Sequence, residues 1–394
     1  MALDLIRITG LSASFGKGDS HTQVLHEINL NVKAGETVGV VGESGSGKSV
    51  TSLSIMRLID SPPISYEAGQ ISYGAESIDL LQSDESYLRS LRGKGIAMIF
   101  QEPMSSLNPV QRCGKQVDEL LLTHTKLGST ERKEAVLRLF SEVSLPTPDR
   151  IYDAYPHELS GGQKQRVMIA MAMSCQPKLL ICDEPTTALD VTVQRDILDL
   201  LTSLQKKTGM AMIFISHDLG VVGHIAQHIV VMHKGKIVEQ GATNQILRSP
   251  VHPYTRGLLA CRPPNEGRPR RLPTVSDLMS NPDFIPTEEV LKERQLRHER
   301  TYDAEPILQA IGLKTWYPIK KGILQRTVDH VKAVNGVTFE LFKGETLGLV
   351  GESGCGKSTL GRTLVGLETA TDGQITFEGD ELLTMSNGEK NGTV

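Results

Sequence analysis

The chain of 394 residues has room for two or three domains, and with 39% hydrophobic and 22% charged residues it has the composition of an ordinary globular protein able to bury a core. A net charge of −4 without long basic runs gives no reason to expect nucleic acid as a main partner. Nowhere do the roughly 18 uninterrupted apolar residues needed to cross a bilayer occur, and Cys113, Cys175, Cys182, Cys261 and Cys355 are scattered without paired metal spacing, which predicts reduced thiols without disulfides.

The N-terminus, MALDLIRITG, has no basic flank leading into an apolar core, so no secretion signal is expected and the protein should stay inside the cell. Residues 3–8 and 28–32 pattern as strands, separated by a polar loop rich in Gly and Ser. The apolar run ETVGVV then enters GESGSGKS, residues 42–49, and a helix begins at TSLSIMRLI. A buried strand, a glycine-rich turn and a helix in that order make a phosphate cradle. Gly42, Gly45 and Gly47 let the backbone amides converge, Lys48 reaches the β- and γ-phosphates, and the Ser49 hydroxyl completes a magnesium shell. Phe15 lies on the approach, where its ring could stack on a base or simply pack at a strand end.

IAMIF, 96–100, is a compact strand that delivers Gln101 to its end. Apolar spacing at three and four residues over 111–145 predicts a small helical subdomain, placed at about 102–170. YPHELSGGQ leads into a helix near Gly161, with Ser160, Gly161 and Gly162 forming a second anion-binding device. KLLICDEP, 178–185, is a buried strand ending in Asp183 and Glu184, and AMIFISHD, 211–218, is another ending near His217. Carboxylates at strand tips are common structural features, but here several strands deliver polar residues to one edge, which is where open parallel sheets bind ligands. VVGHIAQHIVVM, 221–232, reads as a helix end followed by a strand.

Residues 261–305 read as a polar, charged connector, with RPPNEGRPRRLP extended and EEVLKERQLRHER a solvated helix. Then the first pattern returns. GETLGLVGESGCGKS, 344–358, repeats GETVGVVGESGSGKS, 35–49, and Tyr317 stands where Phe15 stood. Gly351, Gly354, Gly356, Lys357, Ser358 and Thr359 are the matching phosphate-loop residues, and GQITFEG reads as a strand. Nothing after Ser358 supplies a Q-loop, an SGGQ, an Asp-Glu pair at the end of an apolar strand or a switch histidine. The expectation is therefore a complete domain over 1–260 and an incomplete copy over 306–394 that is poorly stable and exposes sheet edges.

These motifs resemble the ATP-binding subunits of ABC transporters across residues 1 to about 260. GESGSGKS is similar to the Walker A motif, Gln101 to the Q-loop glutamine, LSGGQ at 159–163 to the signature, LLICDE to Walker B, TALD at 187–190 to the D-loop and His217 to the switch histidine. QEPMSSLNP, YPHELSGGQ, DEPTTALDVTVQ, ISHDLGVV and HPYTRGLL are similar to the oligopeptide, dipeptide and nickel importer subfamily, and the repeat resembles its fused double-ATPase members. The fold so implied is α/β, a P-loop ATPase domain with a mixed sheet core, an antiparallel β subdomain and a small helical subdomain, followed by an incomplete second copy.

The resemblance also implies chemistry. ATP and Mg²⁺ would be the cofactors. Gly42, Glu43, Ser44, Gly45, Ser46, Gly47, Lys48, Ser49 and Val50 would wrap the phosphates, while Ser160, Gly161, Gly162, Gln163 and Asp190 would act across a head-to-tail pair of domains. Glu184 would be the general base, assisted by His217, Gln101 and Lys48, with Ser49, Gln101 and Asp183 at the metal and Ser358 in the second copy. Cys261 alone after HPYT cannot ligate an iron–sulfur cluster, so none is expected. Implied partners are membrane permease subunits and, through them, a substrate-binding protein, at the cytoplasmic face of the bacterial inner membrane. If the two copies within one chain paired, neither of the two sites would be complete, so a homodimer through 1–260 or a second ATPase subunit is expected. The solute, whether peptide, glutathione or nickel, is not readable. A soluble ABC ATPase of translation or repair is the alternative class, and a non-catalytic nucleotide-binding scaffold is a third.

Overall fold

Three apolar runs of the sequence become the buried centre of one sheet because both of their faces are covered. The computed structural model describes residues 4–16, 21–101, 106–187, 189–264, 267–281, 283–322, 326–352 and 354–382. The chain divides into two compact units, Met1–Asn265 with Arg271–Pro286, and Glu266–Arg270 with Thr287–Val394.

The first unit runs β1 (Asp4–Phe15), β2 (Thr22–Lys33), β3 (Thr37–Val41), α1 (Lys48–Met56), β4 (Ile64–Tyr73), β5 (Ile78–Asp79), α2 (Glu85–Leu91), β6 (Ile96–Ile99) and α3 (Cys113–His124). It continues through α4 (Ser129–Glu142), α5 (Pro148–Asp153), α6 (Gly161–Met173), β7 (Leu179–Asp183), α7 (Val191–Thr208), β8 (Ala211–Ser216) and α8 (Leu219–Ile225). It closes with β9 (His228–His233), β10 (Lys236–Ala242), α9 (Thr243–Arg248), α10 (Pro253–Ala260) and α11 (Val275–Ser280).

A six-stranded sheet has the order β10-β9-β3-β8-β7-β6. The five strands from β9 to β6 are parallel and β10 is antiparallel to β9. Side chains alternate between its two faces: Leu179, Ile181, Ile213, Ile215, Val230 and Met232 join one core with the antiparallel sheet β2-β1-β4-β5. Leu180, Cys182, Met212, Phe214, Ile229 and Val231 join the other, with α3, α4, α6 and α7. Burial on both faces is why these strands read as unbroken apolar runs.

The helices follow equally local rules. α7 begins where the Asp190 carboxylate accepts from the Val193 amide at 2.9 Å, ends at left-handed Gly209, and buries Ile197, Leu198, Leu201 and Leu204 along one stripe. Among the described residues no helix is long and apolar enough to cross a membrane.

The structure differs from the sequence expectation in three places. β1 and β2 are twelve residues each, longer than 3–8 and 28–32, because register shifts interrupt their apolar alternation without ending the pairing. The connector expected over 261–305 is divided: Arg271–Pro286 belongs to the first unit, where α11 packs on α10 through Gly257 and Val275. The second unit contains α12 (Leu291–Tyr302), which buries no residue, then β11 (Leu308–Lys321), β12 (Arg326–Leu341), α13 (Lys357–Leu364), β13 (Asp372–Phe377) and β14 (Asp380–Glu381).

The second unit's sheet has the order β12-β11-β13-β14, antiparallel throughout, matching β2-β1-β4-β5 of the first. The strand expected from GETLGLV is absent. Residues 346–350 have no regular structure, and Leu347, Leu349 and Val350 are 41%, 46% and 93% exposed. Its counterpart β3 is hydrogen-bonded to β8 on one side and β9 on the other, and no such neighbours flank 346–350 among the described residues. The final residues, 383–394, lie outside those described.

Candidate functional site

β3 is buried at every residue and held by parallel neighbours on both sides, so the chain leaves the sheet at its carboxyl edge. The turn there is made by glycine. Gly42, Gly45 and Gly47 have φ of 155°, 78° and 102°, and a Cβ on Gly42 would stand 2.1 Å from the Met232 carbonyl oxygen. α1 opens on left-handed Gly47 without a side-chain cap, which leaves the first-turn amides free for an anion. Lys48 is buried, and its Nζ donates to the carbonyl oxygens of Gly42 at 2.8 Å and Glu43 at 2.9 Å. Burial lowers the Lys48 pKa, against the opposing pull of the Glu184, Asp183 and Glu43 carboxylates.

A cavity of about 540 Å³ opens in front of this loop, lined by Ser44, Gly45, Ser46, Gly47, Lys48, Ser49 and Val50 together with Gln101, Glu184, the start of β2 and the 234–235 turn. Gln101 and Glu184 thus arrive from the ends of β6 and β7. A groove of about 560 Å³ around Arg7, Asn29, Lys33 and His228 lies where β9 begins and shares no residue with this cavity.

Asp183 ends β7 and is buried. Its Oδ1 has no hydrogen-bond partner among the described residues. Burial raises its pKa, a hydrogen bond with Ser49 works the other way, Glu184 adds to the rise and Lys48 opposes it. A partnerless buried carboxylate oxygen beside a serine hydroxyl fits a small, hard divalent cation such as Mg²⁺. No cluster of three or more His, Cys, Asp or Glu capable of holding a metal occurs among the described residues, so water and ligand oxygens would have to complete the shell.

Glu184 has φ of 47°, a left-handed backbone costing on the order of 1 kcal/mol that turns its side chain off the strand axis. Its amide donates to the Ile215 carbonyl at 3.0 Å. Its Oε2 accepts from the Thr187 hydroxyl at 3.1 Å and lies 3.3 Å from His217 Nδ1. His217 is otherwise open to solvent, at 64% side-chain exposure against 14% for Glu184.

Other expected residues are not brought to this cavity. Ser160 caps α6, with a reciprocal pair in which its Oγ accepts from the Gln163 amide at 3.3 Å and Gln163 Oε1 accepts from the Ser160 amide at 3.0 Å. Neither these two, nor Gly161 and Gly162, nor Asp190 lines the cavity. Phe15 is half-buried at the end of β1, packs on the core of the antiparallel sheet and is not among the residues lining the cavity. Residues 102–105 of QEPMSSLNP and 188 of TALD lie outside those described.

The second loop copies the first in backbone: Gly351, Gly354 and Gly356 have φ of 155°, 80° and 98°. Lys357 Nζ donates to the Gly351 and Glu352 carbonyl oxygens, each at 2.7 Å. Ser358 and Thr359 follow on α13, Tyr317 is 38% exposed, and residue 353 lies outside those described.

Three contacts have no mark in the sequence. Thr187 braces Glu184. Arg262 pairs with Asp218, the neighbour of His217. Tyr254, in HPYTRGLL, accepts a hydrogen bond from the Glu43 amide across 211 residues of sequence; no local periodicity could have signalled it.

Known proteins resemble this chain in sequence and fold. The family model described as ABC transporter matches residues 25–187 and 334–393, and the oligopeptide/dipeptide transporter C-terminal region matches 238–287. The glutathione import ATP-binding protein GsiA of Salmonella choleraesuis is 43% identical over 394 aligned positions, covering 98% of this chain and 62% of that protein. The peptidoglycan transport ATP-binding protein YejF of Agrobacterium fabrum is 44% identical over 378 positions, covering 96% of this chain and 63% of that protein. The chain therefore spans less than two thirds of the length of these curated relatives. Among solved structures, a dimeric ATP-binding cassette in a post-hydrolysis state with ADP and phosphate matches with a TM-score of 0.54 and 27% identity, covering 60% of this chain and 98% of that one. A second, cbiO1 from Clostridium perfringens, part of the ABC transporter complex cbiONQ, matches with a TM-score of 0.53 and 27% identity, covering 62% of this chain and 91% of that one.

Proposed function

This chain belongs to the ABC transporter family, and we propose that it is an energy-coupling ATPase of a bacterial importer for peptides or related small solutes, converting ATP and water to ADP and phosphate. The observation that carries the reading is the meeting of Lys48, Ser49 and Glu184 around one cavity at the carboxyl edge of the sheet, with Glu184 braced by Thr187 and His217. Lys48 would clamp the phosphates and the α1 amides would cradle them. Glu184 would take a proton from the water that attacks the γ-phosphorus, with His217 and Gln101 orienting that water and the γ-phosphate. Ser49 and Asp183 would hold Mg²⁺, which neutralises phosphate charge when bound. In the second unit Lys357 and Ser358 stand at the matching positions of a loop that has no strand behind it.

Ser160, Gly161, Gly162 and Gln163 are away from their own cavity, which supports a head-to-tail arrangement in which a second ATPase domain receives them. That partner is another copy through residues 1–260 or a separate ATPase subunit. Membrane permease subunits, and through them a substrate-binding protein, would place the chain at the cytoplasmic face of the inner membrane. The glutathione and peptidoglycan transport relatives favour this reading over a soluble translation or repair factor.

The test is Glu184→Gln. MgATP binding should persist while phosphate release falls by about a hundredfold or more, and light scattering with MgATP should read twice the single-chain mass. Turnover retained at the wild-type rate would remove Glu184 from the role of base. A nucleotide-bound chain that stays single would instead remove self-pairing and leave the separate ATPase subunit.

A further inference from the structure

We propose that Tyr254 is a positioning residue of the phosphate loop: its buried hydroxyl fixes the peptide between Gly42 and Glu43 and so presets the loop for nucleotide before any nucleotide arrives. The proposal rests on the proposed ATP-binding function and adds a residue to that site.

One peptide group is held from both sides. Its carbonyl, that of Gly42, accepts from Lys48 Nζ at 2.8 Å, and its N–H, that of Glu43, donates to Tyr254 Oη at 2.9 Å. In a trans peptide these two groups point in opposite directions, so the lysine and the tyrosine grip the same plane from opposite sides. Were the plane to turn, Lys48 would lose one of its two carbonyl anchors. A second anchor lies further along, where the Gly235 amide donates to the Ser46 carbonyl at 3.0 Å. Within the loop the Ser46 amide donates to the Glu43 carbonyl at 3.1 Å, closing the turn that this peptide opens.

Tyr254 is itself over-determined. It is wholly buried, at 0% exposure. It is the second residue of α10, whose start is set by Pro253 and by His252 Nδ1 accepting from the Tyr254 amide at 3.1 Å. Glu239 on β10 accepts from the amides of Val251 and His252 at 2.8 and 3.0 Å, tying that turn to the sheet. The ring lies 4.1 Å from that of His233, at the end of β9, whose preceding carbonyl, Met232, packs under Gly42. Phenylalanine would fill the same space. A hydroxyl in a wholly buried place is costly unless bonded, and this one is bonded to the phosphate loop, not to its own helix. An order already present in the empty loop does not have to be taken from the binding energy of the ligand. Its loss should weaken ATP and ADP alike, raising KM while leaving kcat near its starting value.

The experiment is Tyr254→Phe in the full chain, beside Phe140→Leu, a buried substitution among the helices far from the loop in sequence. Amide exchange at Glu43 in the nucleotide-free chain should accelerate about tenfold in Tyr254→Phe. The dissociation constants of MgATP and MgADP should both rise by about threefold to tenfold, the loss of one oriented hydrogen bond. Phe140→Leu should lower the melting temperature without moving either readout. Unchanged Glu43 exchange, unchanged affinities, or an equal loss of affinity in Phe140→Leu would each overturn the role. A wild-type chain that binds no MgATP would overturn the proposed function together with this role, whereas wild-type binding with an unaltered Tyr254→Phe affinity overturns the role alone.

Discussion

Burial decides which of the five free cysteines can react. Burial pushes the Cys113 thiol up to about 11, with the Glu158 carboxylate adding to it. Cys182, wholly enclosed between Leu179–Ile181 and Asp183 on β7, is raised further, by burial first and by the Asp183 carboxylate second. Cys261 is raised for the same reason. Cys355, in the second phosphate loop, is exposed to solvent. Because the thiolate is the nucleophile, a folded chain treated with maleimide near pH 8 should be labelled first at Cys355, while Cys113 and Cys182 wait for unfolding. Peptide mass spectrometry over time checks the order, and early labelling of Cys182 would contradict the burial of β7. The same enclosure of β7 leaves Asp183 Oδ1 without a partner among the described residues, so one structural cause makes a thiol inert and a carboxylate ready for a cation.

At the scale of elements, glycine inside β3 has a packing reason. A Cβ on Gly39 would stand 2.0 Å from Val222 Cγ1 and 3.1 Å from Ala226 Cβ, both belonging to α8 and its end. Gly39→Ala should therefore push α8 off the strand and destabilise the first unit by about 1–3 kcal/mol. Its counterpart Gly348 has nothing within 4 Å, and Gly348→Ala should be near neutral. Parallel thermal melts of the two variants check this, and equal losses would refute the packing account. The contrast also explains what was legible in the sequence. β3, β7 and β8 announced themselves because burial on both faces demands unbroken apolar runs, and Gln101, Asp183, Glu184 and His217 could be read because each follows such a run. GETLGLV has the same pattern and is no strand, since pattern supplies the side chains and only neighbours supply the ladder. α11 was not legible because two buried contacts, through Gly257 and Leu278, hold a polar segment that composition alone makes a linker.

Across the whole molecule, the two phosphate loops share a backbone and differ in support. Around Lys48 stand β3, β8 and β9, two large cores, and the grip of Tyr254. Around Lys357 the preceding residues are exposed, and the core of that unit consists of Ala310, Leu313, Val334, Leu360, Ile375 and Leu382 with a few half-buried neighbours. Hydrophobic stabilisation scales with the apolar area removed from water, so the second unit should melt first. Ligand that binds only the folded form raises stability by mass action, about 2.7 kcal/mol at a hundred times the dissociation constant. For a unit of this size that is roughly 5–10 °C. MgATP should therefore raise the melting of the first unit by that amount and leave the second where it was. Hydrogen exchange followed by mass spectrometry on a temperature ramp separates the two, because peptides from 308–341 report on one unit and peptides from 179–233 on the other. Lys48→Ala should abolish the shift and Lys357→Ala should preserve it. Protection of residues 354–364 by MgATP, or loss of the shift in Lys357→Ala, would mean that the second loop binds nucleotide without a strand behind it, and that the loop's backbone geometry alone is enough.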